Sequence, residues 1–470
     1  MKYAITTLGC KVNQFETQAI EAMLRARGHM PAGEHDADAV IVNTCAVTAE
    51  SGRKSRQAVR RMMAEHPGAV AAVCGCFSQI EPKAVRDIGA AVIFGSGDRT
   101  GFVDAIEIAV AERKEKNSPA LNIQGLSVRQ QSSRGVRAGQ APSDSICDAE
   151  TVENGFSTIS SIDDPFRRRT FELLPAGALE GRTRAYLKIE DGCDNFCSYC
   201  VIPYARGRVR SMPLGEIRAE ASRLQGEGFR ELIVTGIEIS SYGKDLPETP
   251  GLADAVCAAA ESAPKTRLRI GSLEPTVITE DFCRRIAAPG NICRHFHLSL
   301  QSGCDRTLHA MHRKYDTAAF LRAVELLRAQ FPGCALTADL IAGFPGETEA
   351  DFAATLDFIR RVGFAEMHVF PYSIRPGTRA AEMPGQHTHA VKNARAAAVQ
   401  AAAEEMQLAY LDAQVGQTLP VLFETEQGER WQGHSDNYCE VLASGDDLHG
   451  IMKNVQITAR EGKKLVGIIV

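Results

Sequence analysis

The chain has 470 residues, 44% of them hydrophobic, enough for several independent cores. Its formal net charge of −5 excludes a globally basic nucleic-acid coat, so any contact with RNA must come from local patches. No stretch approaches the roughly 18 uninterrupted apolar residues of a membrane span, and Met1-Lys-Tyr-Ala-Ile-Thr-Thr-Leu-Gly-Cys10 lacks the apolar core of a signal peptide, so a cytoplasmic location without a membrane partner is expected. Fourteen cysteines in such a chain point to metal ligands rather than a disulfide frame.

Residues 1–111 read as an α/β domain. Strand-like runs at Tyr3–Leu8, Ala39–Asn43, Ala69–Val73 and Ala91–Phe94 alternate with helical patterns at Asn13–Arg27, Ser51–Glu65 and Glu81–Ile88. That alternation predicts a parallel sheet with its ligands beyond the carboxyl ends of the strands. Three loops at those ends carry cysteines: Cys10, Cys45, and the pair Cys74 and Cys76. Three thiolates meeting there can hold an iron–sulfur cluster with one iron free of protein ligands; three buried core cysteines is the competing reading, and spacing alone does not separate the two. Arg53, Arg56 and Arg60 recur at helical spacing beside Lys54 and Arg61, as a phosphate-steering face or a solvated one.

Residues 112–180 change character. Gln130–Gln140 and Ser157–Ser161 are polar and without periodicity, which predicts a linker or disordered insertion, and Cys147 within it is not expected to be a ligand.

Over 181–412 strands and helices alternate again. Runs at Ala185–Ile189, Glu231–Thr235, Arg267–Ile270, His295–Leu300, Ala335–Ile341 and Glu366–Phe370 predict a partial (β/α)6 barrel with chemistry at the carboxyl ends of its strands. The loop after the first strand holds Cys193-x3-Cys197-x2-Cys200. Thiolates this crowded suit a [4Fe–4S] cluster, and three ligands leave one iron open, which points to catalysis. Structural zinc wants four ligands in paired units, and no second pair follows closely. Further strand ends carry Gly236, Ser272 with Glu274, Gln301, and Gly343 with Glu347. The hydroxyl and carboxylate can bind a ribose or an amino group, a strand-end cap being the plainer role for Glu274. Arg206, Arg208 and Arg210 alternate after the cluster loop, and would share one face of an extended segment to meet a carboxylate, RNA phosphates or water.

The tail over 413–470 has short β segments at Leu419–Phe423, Tyr438–Leu442, Lys453–Thr458 and Lys464–Val470, which predict a small β-barrel. From 415 it has five Lys or Arg against eight Asp or Glu, an awkward balance for an RNA binder, although Phe423, Trp431 or Tyr438 can stack on a base. A partner-binding module is the alternative.

The Cys193–Cys200 spacing, with Tyr199 before its last cysteine, resembles the signature of radical S-adenosylmethionine (SAM) enzymes, and Asp339–Glu347 resembles their Gly-x-Ile-x-Gly-x-x-Glu motif. The resemblance implies that SAM chelates the open iron and is cleaved to a 5′-deoxyadenosyl radical, with Tyr199, Gly236, Ser272, Glu274, Gln301, Gly343 and Arg206 around it. The whole chain apart from 112–180 resembles the methylthiotransferases, which carry an N-terminal cluster domain, a radical SAM barrel and a C-terminal TRAM β-barrel. This implies two [4Fe–4S] clusters, on Cys10, Cys45 and Cys76 and on Cys193, Cys197 and Cys200, with no protein side chain as acid or base. Gly75-Cys76-Phe-Ser-Gln79 fits the family register, and Cys74 is the alternative ligand. Leu8-Gly-Cys-Lys-Val-Asn-Gln-Phe-Glu-Thr17 is similar to the branch that acts on threonylcarbamoyladenosine. The implied reaction adds a methylthio group to C2 of N6-threonylcarbamoyladenosine 37 in a tRNA anticodon stem-loop, with an electron donor and a sulfur source that the sequence does not identify. The alternatives are isopentenyladenosine 37, a ribosomal protein residue, or a non-catalytic iron–sulfur protein that binds RNA or senses redox state.

Overall fold

Short buried strands and one-faced helices organise the computed structural model, which describes residues 1–117, 148–151, 157–175 and 183–470. The N-terminal domain runs β1 (Lys2–Thr7), α1 (Lys11–Ala26), β2 (Met30–Pro31), β3 (Ala39–Thr44), α2 (Ala49–Glu65), β4 (Val70–Gly75), α3 (Cys76–Ile80), α4 (Pro82–Arg86), β5 (Val92–Phe94) and α5 (Arg99–Asn117). β3 and β4 are buried throughout, as central strands covered on both faces must be. Their register sets Thr7 beside Asn43, and Asn43 beside Cys74. The ends of β1, β3 and β4 are therefore level, and the loops that carry Cys10, Cys45 and Cys76 issue side by side.

The expectation of a structureless linker fails at its C-terminal part. β6 (Asp148–Thr151) and β7 (Ser157–Ser161) extend the sheet, whose order is β2-β1-β3-β4-β5-β7-β6, with β7 parallel to β5 and β6 antiparallel to β7. Main-chain pairing needs no hydrophobic alternation, so a serine-rich run escapes a search for period two. Residues 163–168 then brace the domain: Gln79 donates to the Asp163 carbonyl at 2.8 Å, and Arg168 donates to Ser96 at 2.8 Å. The rest of that expectation, Gln130–Gln140 and Cys147 included, lies outside the described residues.

The second domain contains β8 (Arg184–Lys188), β9 (Glu190–Asp191), α6 (Ile202–Arg206), β10 (Arg210–Ser211), α7 (Leu214–Gly226), β11 (Glu231–Thr235), α8 (Leu252–Ser262), β12 (Arg267–Ile270) and β13 (Ser272–Leu273). It continues with α9 (Glu280–Ala287), β14 (His295–Gln301), α10 (Asp305–Ala310), α11 (Thr317–Gln330), β15 (Ala335–Ala342), α12 (Glu349–Val362), β16 (Glu366–Pro371), α13 (Arg379–Glu382) and α14 (His389–Asp412). Two parallel sheets, β12-β11-β8 and β13-β14-β15-β16, form the six-position arc, and the chain passes between them at Gly271. A Cβ there would stand 2.7 Å from the Val234 carbonyl oxygen, so only glycine fits the crossing. Leu232, Val234, Leu268, Leu298, Leu336 and Leu340 pack outward against the helices. The alternate positions, among them Arg184, Tyr186, Glu231, Arg269, His295, His297 and Asp339, point to the other face and give the arc a polar lumen. Helix α1 lies along β8, where Tyr186 Oη donates to Gln14 Oε1 at 2.5 Å and Lys188 Nζ is 3.5 Å from Glu16 Oε1.

The tail closes into a barrel of order β17-β18-β19-β21-β20, formed by β17 (Thr418–Gln427), β18 (Arg430–Ser435), β19 (Glu440–Ala443), β20 (Met452–Glu461) and β21 (Lys464–Ile469). Two of its expected stacking aromatics are structural. Phe423 is wholly buried in the small barrel's core. Tyr438 stacks on His295 at 4.9 Å beneath the Arg269 guanidinium, which plugs the floor of the larger barrel. Among the described residues no helix is long and apolar enough to cross a membrane.

Candidate active site

The N-terminal cysteines are held by the main chain around them. Gly9 (φ 117°) passes so close that a Cβ would stand 3.0 Å from Cys45 Cβ and 3.2 Å from its Sγ. Gly75 (φ 104°) leaves 2.5 Å between such a Cβ and both Asn43 Oδ1 and the Thr44 carbonyl. Asn13, one turn into α1, donates to Asn43 Oδ1 at 3.1 Å and to the Thr44 carbonyl at 2.9 Å, and accepts from Cys10 Sγ at 3.3 Å. The Leu8–Thr17 motif thus ties the first cysteine loop to the second. Cys74 points the opposite way, into the core with Tyr3, Ile20 and Phe102, and burial pushes its thiol up to about 12.

Arg206 was expected at the SAM pocket, and the structure places it elsewhere. It is fully buried beneath Cys76, donating from Nε to Cys76 Sγ at 3.2 Å. α6 and Gly207 (φ 75°) break the extended alternation on which that expectation rested: Arg206 and Arg210 turn inward and Arg208 outward. Arg206 also pairs with Glu16, and with Asp191 at 3.3 Å. Arg99 pairs with Glu16 at 2.9 Å, Lys188 with Asp191 at 2.7 Å, and Arg210 with Asp191 at 3.6 Å. Burial alone would raise the Glu16 carboxyl, but Arg206, Arg99 and Lys188 outweigh it and hold it at about 2. Arg206, Arg99, Lys188 and Arg210 share Glu16 and Asp191, and Glu172 accepts from the Arg99 N–H at 2.7 Å, so the thiols lie beside a dense buried ion network. Burial raises Cys10, Cys45 and Cys76 and dominates for each, while the Arg206 charge opposes it and so reduces the cost of a thiolate there.

Cys193, Cys197 and Cys200 line a cavity of about 390 Å3, and Cys10, Val47 and Thr48 of the N-terminal domain line the same cavity. Gly192 (φ 91°) starts the loop, where a Cβ would collide with the Arg208 carbonyl at 1.9 Å. Backbone N–H groups of Asn195 and Ile202 point at Cys193 Sγ (3.5 Å) and Cys200 Sγ (3.4 Å), and Arg313 Nη1 donates to Cys197 Sγ at 3.2 Å. Burial pushes the Cys200 thiol up to about 12 and raises Cys193 further. Among the described residues no three His, Cys, Asp or Glu side chains close on a single metal ion. A cubane takes each thiolate on a different iron, and three thiols on one loop capped by N–H donors fit it.

Tyr199, Gly236, Ser272 and Gln301 all line this cavity. Gly236 is a glycine because a Cβ would stand 2.7 Å from Glu190 Oε2. Glu274 and Gly343 are not among the cavity's lining residues. Glu274 is buried behind it, accepting from Arg313 at 2.7 Å and Asn195 at 3.3 Å. Gly343 makes its close approach to Lys392 of α14, with its N–H donating to Glu347 Oε2 at 2.9 Å. On α2, Arg53 is tied to Glu50, Arg56 lies over the Phe77 ring, and Arg60 is exposed.

Sequence reasoning did not single out Arg313, Asn195, Glu238 or the Glu16–Arg99 pair: Asn195 sits unmarked between two cysteines of the cluster loop, and the others are brought together from elements far apart in sequence. Glu238 accepts from Asn195 Nδ2 at 3.2 Å, and burial with the nearby Glu274 carboxylate pushes it up to about 7. Lys11, beside Cys10, keeps contact with water although protein around it desolvates the ammonium and lowers its pKa.

Comparison with known proteins adds the family. Residues 187–359 match the Radical SAM superfamily model, and residues 2–95 match the uncharacterised protein family UPF0004. The chain is 33% identical to the threonylcarbamoyladenosine tRNA methylthiotransferase MtaB of Bacillus subtilis, over 97% of this chain and 93% of that one. It is 32% identical to the protein of the same name in Chlamydia pneumoniae, over 100% and 98%. The tRNA-2-methylthio-N(6)-dimethylallyladenosine synthase of Pelotomaculum thermopropionicum is also 32% identical, over 100% and 97%. Among solved structures, the radical S-adenosylmethionine methyltransferase TsrM from Kitasatospora setae superposes with a TM-score of 0.52 at 17% identity, covering 81% of this chain and 77% of that one, a likeness of fold.

Proposed function

The chain belongs to the methylthiotransferase family of radical SAM enzymes, nearest in kind to its threonylcarbamoyladenosine branch, and from that premise we propose that it adds a methylthio group to C2 of N6-threonylcarbamoyladenosine 37 in the anticodon stem-loop of tRNA. An iron–sulfur cluster and SAM belong to radical SAM chemistry; the proposal adds a second cluster. Cys193, Cys197 and Cys200 would hold the cluster that binds SAM, and Cys10, Cys45 and Cys76 the second. Cys76 rather than Cys74 would be the third ligand of the latter, a reading supported by its place on the Arg206 side of the sheet, opposite to Cys74. When bound, these groups supply reductive cleavage of SAM to an organic radical and a sulfur atom that accepts a methyl group.

The observation that carries the reading is the shared cavity. Cys10 faces the same space as the barrel triad, so one adenine edge can meet both centres without a swing of domains. The chain's own residues keep that geometry. Arg206 spans Cys76, Glu16 and Asp191 and locks the N-terminal domain to β9. Arg313, held by Glu274 and stacked on Tyr315, fixes Cys197 from behind. The C2–H bond is unactivated, so the protein is not asked for an acid or a base at that carbon.

The test is metal analysis of anaerobically reconstituted protein together with mass analysis of tRNA nucleosides after reaction. About eight irons are expected, about four after Cys193, Cys197 and Cys200 are all changed to Ala, and almost none once Cys10, Cys45 and Cys76 are changed as well. About four irons in the unaltered protein, all lost with the barrel triad, would sink the second cluster. A methylthio product on dimethylallyladenosine but not on threonylcarbamoyladenosine would move the substrate to the other tRNA branch.

A further inference from the structure

One cation in the barrel lumen has no counter-ion. Lys11 opens α1 next to Cys10, one turn before Gln14 on the face that meets Tyr186 of β8. Its ammonium is exposed and within electrostatic reach of Arg184, Glu231, Arg269 and Asp339, inward-facing residues of four different strands, so it faces the arc from the N-terminal domain. The arginines there are occupied. Arg184 pairs with Glu424 at 2.8 Å, Arg267 and Arg269 share Glu231 at 2.6 and 2.8 Å, and Arg269 lies over the Tyr438 ring. Lys11 makes no hydrogen bond or ion pair among the described residues. Around it the lumen is polar. His297 Nδ1 is 3.0 Å from Thr337 Oγ1, its Nε2 is 3.4 Å from Asp339 Oδ2, and His368 stands 6.0 Å away, ring to ring. Asp339 also lines the cavity shared by Cys10 and the barrel triad, so lumen and cavity are one continuous space.

We propose that this lumen is the subsite for the threonylcarbamoyl group of the substrate, with Lys11 binding its carboxylate and the His297–Asp339 pair meeting its hydroxyl and ureido N–H. This rests on the reading of the substrate given above. The chemistry is complementary group by group: a lone ammonium for the one anionic group, and an imidazole–carboxylate pair for groups that both donate and accept. It also discriminates. A dimethylallyl group in the same place has no charge and no donor, and would bring apolar surface against the ammonium without giving it a partner, the kind of loss that separates substrates far better than size does. Asp339 repels a second carboxylate and so favours the orientation with the substrate's anion at Lys11.

The experiment is fluorescence anisotropy of full-length protein with anticodon stem-loop RNA carrying adenosine, threonylcarbamoyladenosine, or the amide of its carboxyl group at position 37. The wild type is expected to prefer the acid over the amide about tenfold, and Lys11→Met to erase that preference with iron content unchanged, while Lys11→Arg keeps most of it. A Lys11→Met protein that loads iron normally and still prefers the acid overturns the proposal. Should the substitution disturb cluster loading, the amide RNA on wild-type protein decides: equal affinity for acid and amide overturns it. If wild type turns over the threonylcarbamoyl RNA yet shows neither effect, only this subsite is wrong. If it turns over dimethylallyl RNA alone, the substrate reading has failed.

Discussion

Cys193, Cys197 and Cys200 lie on one loop of eight residues, while Cys10, Cys45 and Cys76 arrive on three loops separated by helices and join only because β1, β3 and β4 stand in register. The first triad is fixed locally, by Gly192 and by N–H groups two residues from their thiols. The second is fixed by the sheet and by a buried ion network that reaches into the neighbouring domain. Each triad has one buried arginine on a thiol: Arg313 on Cys197 and Arg206 on Cys76. Arg313 is paired with Glu274 and also feels Glu238, whereas Arg206 shares Glu16 and Asp191 with Arg99, Lys188 and Arg210. A cysteine triad gathered from afar therefore leans on a long-range ion network, and a triad written into one loop leans on it much less.

The strongest way to break this contrast is Glu16→Gln. It removes the counter-charge of Arg99 and Arg206 in a dry site, and a loss of about 4 kcal/mol is expected, with Cys10, Cys45 and Cys76 losing iron while the barrel triad keeps its own. Equal loss of iron at both triads, read by metal analysis and electron paramagnetic resonance, would refute the asymmetry. Glu16 also fixes a pH dependence. Its folded pKa of about 2 lies below the ordinary 4.5 of a glutamate, so it stabilises the fold above pH 4.5 and that contribution fades as pH falls towards 2.

The barrel site has the opposite sign. Glu238, raised from 4.5 to about 7, stabilises the folded state below pH 4.5, and the contribution is lost as pH rises through 7. Glu238→Gln is expected to recover up to about 3 kcal/mol above pH 7 and nothing at pH 4, seen as a flatter curve of Tm against pH. A parallel shift of that curve at all pH values would count against it.

A smaller effect, about 2 kcal/mol, is expected for Gly75→Ala, which forces a side chain into a left-handed turn against Asn43 and Thr44. Denaturant unfolding measures it, and iron loss should be confined to the N-terminal triad. Smallest is Cys74→Ala, a core trim of about 1 kcal/mol that should leave the iron count unchanged, whereas Cys76→Ala should lower it. Iron lost in the Cys74 variant would reverse the assignment of the third ligand.

Much of the molecule was legible before any coordinates. The strands and helices of both α/β domains, the six-position arc and the small barrel followed from alternation and hydrophobic runs, because secondary structure is written in local periodicity. The Cys193–Cys200 loop was legible for the same reason: its ligands are neighbours in sequence. Arg206, Glu274, Gly343, Phe423 and Tyr438 were legible only as chemistry, and their places came from packing. Arg206 turned beneath Cys76 at the break that Gly207 makes, Tyr438 stacked on His295 and Arg269, and a serine-rich run became an inner strand through main-chain bonds and the packing of Ile159. Cys74 and Cys76 look alike in sequence, two residues apart at a strand end, and only the sheet shows that they pack on opposite faces. The sequence by itself determined which elements form and which chemistry the loops can carry, since those depend on near neighbours. Only the tertiary structure decided which distant side chains meet, because strand register, burial and charge balance are properties of the whole fold.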